Sequence, residues 1–109
     1  MNFEVKITAQ AEEDLRGIFE YISYQIKSPE SAAGQLDRLE ERILALETMP
    51  DRYRVYAKEP WHSRGLRVMP VDNYLVFYIT DREAQTVNII RVMYGGRDID
   101  TQLDKHTKI

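Results

Sequence analysis

Residues 74–80, with the sequence YLVFYIT, constrain the fold of this chain more than any other segment. Aromatic and β-branched residues dominate the run, which favours a β-strand whose side chains alternate between two faces. Both faces are apolar: Leu75, Phe77 and Ile79 lie on one, and Tyr74, Val76 and Tyr78 on the other. A helical layer covers only one face of an antiparallel sheet, so the second face must pack under other parts of the chain or against a partner.

Two amphipathic helices are predicted before this strand. Thr8 and Ser28 are suitable N-cap residues, and Pro29 suits the first helical position, where no backbone donor is needed. Apolar residues then recur three and four positions apart, which is typical of helices with one buried face. We expect the first helix to run to about Lys27 and the second to end at Met49, forming an antiparallel hairpin that lies on an apolar surface.

The remaining segments complete one small domain. A chain of 109 residues has room for a single core, so we expect one domain over residues 1–109. Further strands are predicted at residues 3–7, 66–69 and 86–94, an aperiodic loop at 50–63, and a short helical turn from Ile99 to Leu103. The order β-α-α-β-β-β predicts an α+β fold in which the helical hairpin packs on a small, mainly antiparallel sheet.

Composition excludes several classes of site. The chain has no Cys and two His, which excludes disulfides and thiolate chemistry and leaves too few ligands for a metal cluster. No metal or cofactor is therefore expected. The N-terminus lacks a basic segment followed by an apolar one, and the longest apolar run, residues 74–79, is too short to cross a bilayer. We expect a cytoplasmic protein with no membrane segment.

The net charge of −3 conceals an uneven distribution. Residues 1–50 carry ten acidic and five basic side chains, whereas residues 51–97 carry five acidic and eight basic ones, seven of them Arg. Arg suits bidentate contact with phosphate. In the loop, Arg52, Arg54 and Lys58 alternate with aromatic residues, a mixture that suits single-stranded nucleic acid. The alternative is that the aromatic rings seal the edge of the sheet and the basic side chains stay solvated.

Residues 66–78 (LRVMPVDNYLVFY), residues 87–98 (VNIIRVMYGGRD) and the order of elements together resemble the RelE/ParE superfamily of toxins from bacterial type II toxin–antitoxin modules. The resemblance extends over nearly the whole chain. It implies a compact toxin that is neutralised by a small antitoxin, whose C-terminal segment wraps around it. RelE-like members of the superfamily cleave mRNA on the ribosome without metal, whereas ParE-like members poison DNA gyrase.

The resemblance also implies site residues. Arg67 matches the Arg of the second strand and would stabilise a phosphate, Arg97 matches a second basic position, and Tyr94 lies where relatives carry His or an aromatic residue. These three are the predicted catalytic residues. Each has a structural alternative: Arg67 on the solvent side of a strand, Tyr94 packing on the C-terminal turn, and Arg97 pairing with an acidic neighbour. The predicted substrate-binding residues are Arg52, Arg54, Lys58, Trp61, Arg64 and Arg91.

The provisional function is that of a metal-independent endoribonuclease that cleaves mRNA on the ribosome. The alternative is a gyrase poison with no cleavage chemistry of its own, and a third possibility is a non-toxic relative that only binds the antitoxin. Arg67 and the basic, aromatic loop favour RNA cleavage, whereas the acidic composition and the long helices favour the ParE branch. If Arg67 stabilises a phosphate, Arg67→Ala should abolish toxicity and leave the fold intact.

Overall fold

The computed structural model describes residues 2–108 and consists of a four-stranded sheet with helices on both faces. This architecture confirms the predicted α+β fold, and the predicted C-terminal turn is a third helix. The strands are β1 (Glu4–Ile7), β2 (Arg67–Val71), β3 (Tyr74–Asp81) and β4 (Thr86–Tyr94), and the α-helices are α1 (Ala9–Glu20), α2 (Pro29–Leu44) and α3 (Ile99–His106).

The sheet has the strand order β1-β4-β3-β2. The two hairpin pairs, β2–β3 and β3–β4, are antiparallel, whereas β1 lies parallel to β4. The predicted turn at Asp72 and Asn73 is confirmed, because Val71 pairs with Tyr74 across a two-residue connection and Asp72 has a φ of 54°. Arg38 and Gln35 of α2 donate hydrogen bonds to the Asp72 carboxylate and so tie this turn to the helical hairpin.

The helical hairpin covers the face of the sheet that carries Val76 and Tyr78. Both predicted N-caps are confirmed: the Thr8 hydroxyl accepts from the Ala11 amide, and the Ser28 hydroxyl accepts from the Ser31 amide. The first helix differs from the prediction, because α1 ends at Glu20 and a π-helical turn at Tyr21–Gln25 follows it. The change of winding rotates the side chains of this last turn relative to the α-helical stripe.

The second face of the sheet is covered by the chain itself. Trp61 and Leu66 from the loop and Leu103 from α3 pack on Phe77 and Met93. Of the two possibilities that the sequence left open, cover by the loop and the C-terminus is therefore the observed one. The prediction of a short C-terminal turn was wrong in extent, because α3 has eight residues and its buried Leu103 anchors it to the sheet.

The loop between α2 and β2 is more ordered than its aperiodic sequence indicates. It contains two 3-10 turns, at Ala45–Glu47 and Pro50–Arg52, and Val55 forms an isolated antiparallel bridge with Arg67. The phenol of Tyr78 donates a hydrogen bond to the Pro50 carbonyl, which fixes this part of the loop to the core.

In the described part of the chain, no helix is both long and apolar enough to span a bilayer.

Candidate functional site: a cleft beside the end of β4

A cleft of about 590 Å³ lies between α1 and the ends of β3 and β4. It forms because β1 pairs with β4 only as far as Ile89, after which the outer edge of β4 faces α1. We call it the β4 cleft. Acidic side chains of α1 lie on one side, and aromatic and basic side chains of the sheet lie on the other. The lining residues are Glu13, Asp14, Gly17, Ile18, Tyr21, Tyr74, Val92, Met93, Tyr94 and Arg97.

Three tyrosines give the β4 cleft its aromatic character. Tyr74 and Tyr94 are cross-strand neighbours whose rings pack edge to face, with centroids 6.0 Å apart. Tyr21 faces them from the π-helical turn. Burial raises the pKa of Tyr74 above its ordinary value of 10.0, with Tyr21 and Tyr94 adding to the effect, so its phenol stays neutral. Tyr21 and Tyr94 remain 57% and 54% exposed, which leaves both rings open to a ligand.

The turn after β4 brings Tyr94 and Arg97 together at the rim of the cleft. The Arg97 amide donates to the Tyr94 carbonyl at 3.1 Å, and the Gly95 amide donates to the Asn73 carbonyl at 2.8 Å. A Cβ atom at Gly96 would lie 2.6 Å from the Tyr94 ring, so glycine at this position allows the ring its observed place. Two of the three predicted catalytic residues therefore share one site.

Arg91, which the sequence predicted to bind substrate, lies in the interior instead. Its guanidinium forms a bidentate pair with Asp14 of α1, with N–O distances of 2.6 and 2.9 Å. The remaining nitrogen donates to the His106 carbonyl and the Thr107 hydroxyl, and the Asp14 carboxylate also accepts from the Val92 amide. The Arg91 side chain is 7% exposed. We therefore interpret Arg91 as a residue that joins α1, β4 and the C-terminal segment.

Arg67 lies at the other end of the sheet from Tyr94. It pairs with Tyr78 on β3, whereas Tyr94 pairs with Tyr74, and four residues of extended strand separate these positions by roughly 13 Å. Arg67 Nη1 donates to the Tyr53 carbonyl at 2.6 Å and to the Asp51 carbonyl at 3.1 Å. These contacts hold the loop against β2, and the three predicted catalytic residues are not assembled in one site.

Trp61, the aromatic residue predicted to stack on substrate, is also buried, at 4% exposure. Its indole packs in the second core and donates a hydrogen bond to Asp104 of α3 at 2.8 Å. The guanidinium of Arg64 lies 5.1 Å from the ring centroid. Trp61 therefore fastens α3 to the loop and offers no free face to a base, which corrects the prediction.

The remaining basic residues of the loop, Arg52, Arg54, Lys58 and Arg64, are exposed. Lys58 is paired with Asp100 of α3, which also accepts a hydrogen bond from the Tyr56 phenol. Lys58 and Tyr56 together lower the pKa of the Asp100 carboxyl. Burial, followed by the contact with Asp100, raises the pKa of Tyr56 to about 12. Asp100 of α3 thus neutralises part of the positive charge of the loop. The sequence did not predict this contact.

Three residues of the β4 cleft were not identified from the sequence as site residues. Tyr21 lies outside the apolar stripe of the first predicted helix, and this position was a usable signal, because an aromatic residue outside that stripe has no core to fill. Tyr74 was predicted only as part of a strand, and Asp14 carries no signal in the sequence beyond its position in the first predicted helix. Among residues 2–108 there is no group of three or more His, Asp or Glu side chains arranged to hold a metal ion.

Solved structures with a similar fold are toxin–antitoxin complexes. The chromosomal ParDE system from P. aeruginosa aligns with a TM-score of 0.69 and 19% identity over 84% of this chain and 95% of that one. The RelBE2 complex from Mycobacterium tuberculosis gives 0.63 and 23%, covering 86% and 92%. The archaeal RelE–RelB complex from Pyrococcus horikoshii gives 0.59 and 21%, covering 89% and 99%. At these identities the similarity establishes the fold.

A comparison of the sequence with family profiles shows which family the chain belongs to. No curated protein matches the chain. The profile described as "ParE toxin of type II toxin-antitoxin system, parDE" matches residues 5–99, which include the helical hairpin, the rim of the β4 cleft and all of the four strands except the first residue of β1. This match covers most of the chain and agrees with the fold and with the resemblance noted from the sequence. The chain belongs to the ParE toxin family of type II toxin–antitoxin systems.

Proposed function

We propose that this chain is a toxin that arrests growth by binding DNA gyrase, with the β4 cleft as part of the surface that contacts gyrase. Binding to a protein needs exposed anchors beside a partly apolar recess, and aromatic and Arg side chains are the usual anchors. Tyr21, Tyr94 and Arg97 have this character around a cleft of about 590 Å³. The family match supports the ParE branch of the superfamily.

The observation that carries this proposal is the separation of Arg67 from the Tyr94–Arg97 rim. Metal-free RNA cleavage needs a base, a stabiliser of the phosphate charge and an acid within reach of one phosphate. Arg67 is roughly 13 Å along the sheet from Tyr94 and donates to backbone carbonyls. Arg91 is saturated by Asp14 and the C-terminal segment. A toxin that acts by binding needs no such convergence.

RNA cleavage on the ribosome is the second candidate. It is favoured by the exposed cations Arg52, Arg54 and Arg64 on the loop, which suit an RNA backbone, and by Glu13 opposite Arg97 in the β4 cleft. In this function Tyr94 and Arg97 would be the catalytic pair, and Arg67 would serve only to hold the loop.

A small antitoxin, as the partner of this chain in the cell, also belongs to the proposal. The solved structures with this fold are complexes of a toxin with its antitoxin. We expect that expression of the chain alone in the cytoplasm arrests growth and that co-expression of the protein encoded beside it restores growth. Growth that continues when the folded chain is expressed alone would favour the non-toxic relative.

The test of the proposed function uses purified components. The chain is incubated with gyrase, ATP and plasmid in one reaction, and with translating ribosomes and a defined mRNA in another. We expect inhibited supercoiling and gyrase-dependent double-strand breaks in the first reaction, and intact message in the second. New message ends together with unaffected gyrase would overturn the proposal and establish the second candidate.

A further inference from the structure

Four arginines converge at the end of the sheet that lies away from the β4 cleft. They come from four separate segments, namely α2, the 3-10 turn after it, the start of β2 and the turn between β3 and β4. We call this group the arginine cluster, and its members are Arg42, Arg52, Arg67 and Arg82. The sequence places these residues far apart, so only the fold reveals the group.

Tyr53 is one centre of the arginine cluster. Its phenol oxygen accepts a hydrogen bond from Arg42 Nη2 at 3.1 Å, and the Arg52 guanidinium lies 5.2 Å from its ring centroid. Its carbonyl accepts from Arg67. The hydrogen bond from Arg42, with the positive charges of Arg42 and Arg52, lowers the pKa of the Tyr53 phenol below its ordinary value. This shift is the mark of a positive local potential.

Asp51 is the other centre of the arginine cluster, and two guanidinium groups share its single negative charge. Arg67 Nε lies 3.5 Å from one carboxylate oxygen, and Arg82 Nη2 contacts the other. Among residues 2–108 no other carboxylate forms an ion pair with the cluster: Asp81 accepts from the Ala84 amide, and Glu4 pairs with Lys6. Two of the four guanidinium groups therefore pair with this one carboxylate, the other two lie against Tyr53, and Arg82 is 65% exposed.

The chemistry of this surface fits phosphate better than an apolar peptide. Each of the two aromatic rings here is half-buried and carries a guanidinium group, Tyr53 that of Arg52 and Phe3 that of Arg82 at 5.9 Å from the ring centroid, so the recess of about 400 Å³ beside Phe3 is bordered by positive charge. A peptide partner gains most of its affinity from anchors buried in apolar pockets, whereas binding to a nucleic-acid backbone is dominated by contacts between positively charged side chains and phosphates. Guanidinium forks pair with phosphate oxygens through two parallel hydrogen bonds.

We propose that the arginine cluster binds the phosphate backbone of double-stranded DNA, through the exposed side chains of Arg42, Arg52 and Arg82. The inference rests on the proposed function for the source of that DNA, which would be the segment bound by gyrase beside the toxin. Because the whole chain carries a net charge of −3, the contact is local and weak on its own. Together with a protein contact to gyrase it raises the affinity of the toxin for the gyrase–DNA complex.

The test measures binding of the purified chain to a fluorescein-labelled 20-base-pair duplex by anisotropy, without gyrase and over a series of salt concentrations. Three phosphate contacts predict that the logarithm of the affinity falls with the logarithm of the salt concentration with a slope of roughly −3. The variant Arg42→Gln/Arg52→Gln/Arg82→Gln should lose at least about tenfold in affinity at low salt, and its slope should approach zero. The matched control, Arg16→Gln/Lys27→Gln/Lys105→Gln, removes three exposed cations elsewhere and should change the affinity less than about threefold.

Three results would overturn the inference: no binding by the wild-type chain at low salt, equal losses in the variant and the control, or displacement of the duplex by a poly-glutamate peptide at matched charge concentration. The last would identify an acidic protein as the ligand. Capture of DNA-free gyrase by the immobilised chain is measured separately. Failure of that capture would contradict the proposed function and leave the DNA result standing, whereas captured gyrase without duplex binding would overturn only the inference about DNA.

Discussion

Arg91 and Arg97 come from the same strand and its closing turn, yet they lie in opposite environments. Arg91 is buried in the junction between α1 and β4, where Asp14 and the C-terminal segment satisfy its guanidinium. Arg97 is exposed at the rim of the β4 cleft beside Tyr94. Arg91 follows a register shift at Phe77 and Tyr78 that leaves Ile90 without a partner on β3, whereas Arg97 lies beyond the end of the strand.

This comparison separates residues that hold the fold from residues that are free to contact a target. Changes at the junction should lower stability, and any loss of toxicity should follow from unfolding. Changes at the rim should lower toxicity without a change in stability. Arg67 belongs with the junction, because it is partly buried and bonded to the loop. The following variants test that division, in order of decreasing effect.

Removal of Asp14 is expected to have the largest effect. Asp14→Ala leaves Arg91 buried without its counter-ion and also frees the Val92 amide, so we expect a loss of about 3–5 kcal/mol in the free energy of unfolding. Urea unfolding followed by circular dichroism measures it. Glu13→Ala is the matched control, since this exposed neighbour should change stability by less than about 0.5 kcal/mol. Equal effects of the two changes would contradict the structural role of the junction.

Arg67→Ala should have the next largest effect. The change removes charged hydrogen bonds to the Asp51 and Tyr53 carbonyls, which predicts a loss of roughly 1.5–3 kcal/mol in stability. Arg54→Ala, at an exposed position of the same loop, should cost less than about 0.5 kcal/mol. If Arg67→Ala abolished toxicity while its thermal unfolding stayed unchanged, Arg67 would instead be a phosphate stabiliser, as the sequence first indicated.

Gly96→Ala tests the rim with a smaller change. The added methyl group would lie 2.6 Å from the Tyr94 ring and must displace it, so we expect weaker gyrase inhibition with a stability loss of about 1 kcal/mol or less. Gly34→Ala is the matched change on α2, outside the cleft, where the nearest atom to an added Cβ is the end of the flexible Arg38 side chain at 3.4 Å. It should keep full activity and gain up to about 1 kcal/mol from helix propensity. Equal activity of the two variants would show that the position of Tyr94 does not matter.

The contact between α3 and the loop should depend on pH. Lys58 and Tyr56 lower the pKa of Asp100 in the folded chain, so its contribution to stability is complete above the ordinary value of 3.8 and is lost progressively as the pH falls from there through the lowered pKa. Asp100→Asn should therefore be less stable than the wild type at about pH 6, and the difference should narrow steadily as the pH falls below 3.8. Fluorescence of Trp61, the single Trp of the chain, can follow both unfolding transitions. A difference that stays constant as the pH falls below 3.8 would contradict this assignment.

The fold was largely predictable because its signals are local. The caps at Thr8 and Ser28, the turn at Asp72 and the two apolar faces of β3 each depend on residues close together in sequence. The extent of α3 was not predictable, because a helix with few apolar residues is stabilised by one buried Leu103 and by carboxylates that bind the loop. Tertiary contacts of this kind have no periodic signature.

The candidate site was predictable only in part. Tyr94 and Arg97 lie on one turn, so the sequence could associate them. The roles of Arg67, Arg91 and Trp61 could not be read from residue type, since an Arg or a Trp suits both a ligand and an internal partner. Whether such a residue binds a ligand or an internal partner depends on which carboxylate or carbonyl the fold brings within reach. For Arg91 that partner is Asp14, which lies 77 positions away in the sequence and could not be identified from it.

The most direct test of the account is gyrase supercoiling measured with the rim variant Tyr94→Ala/Arg97→Ala. At a temperature where circular dichroism shows the wild-type chain and the variant both folded, we predict that the variant needs at least about tenfold more protein for half-inhibition. Arg67→Ala, corrected for its folded fraction, should match the wild type. Full potency of the rim variant in the folded state would contradict the assignment of the β4 cleft as the surface that contacts gyrase.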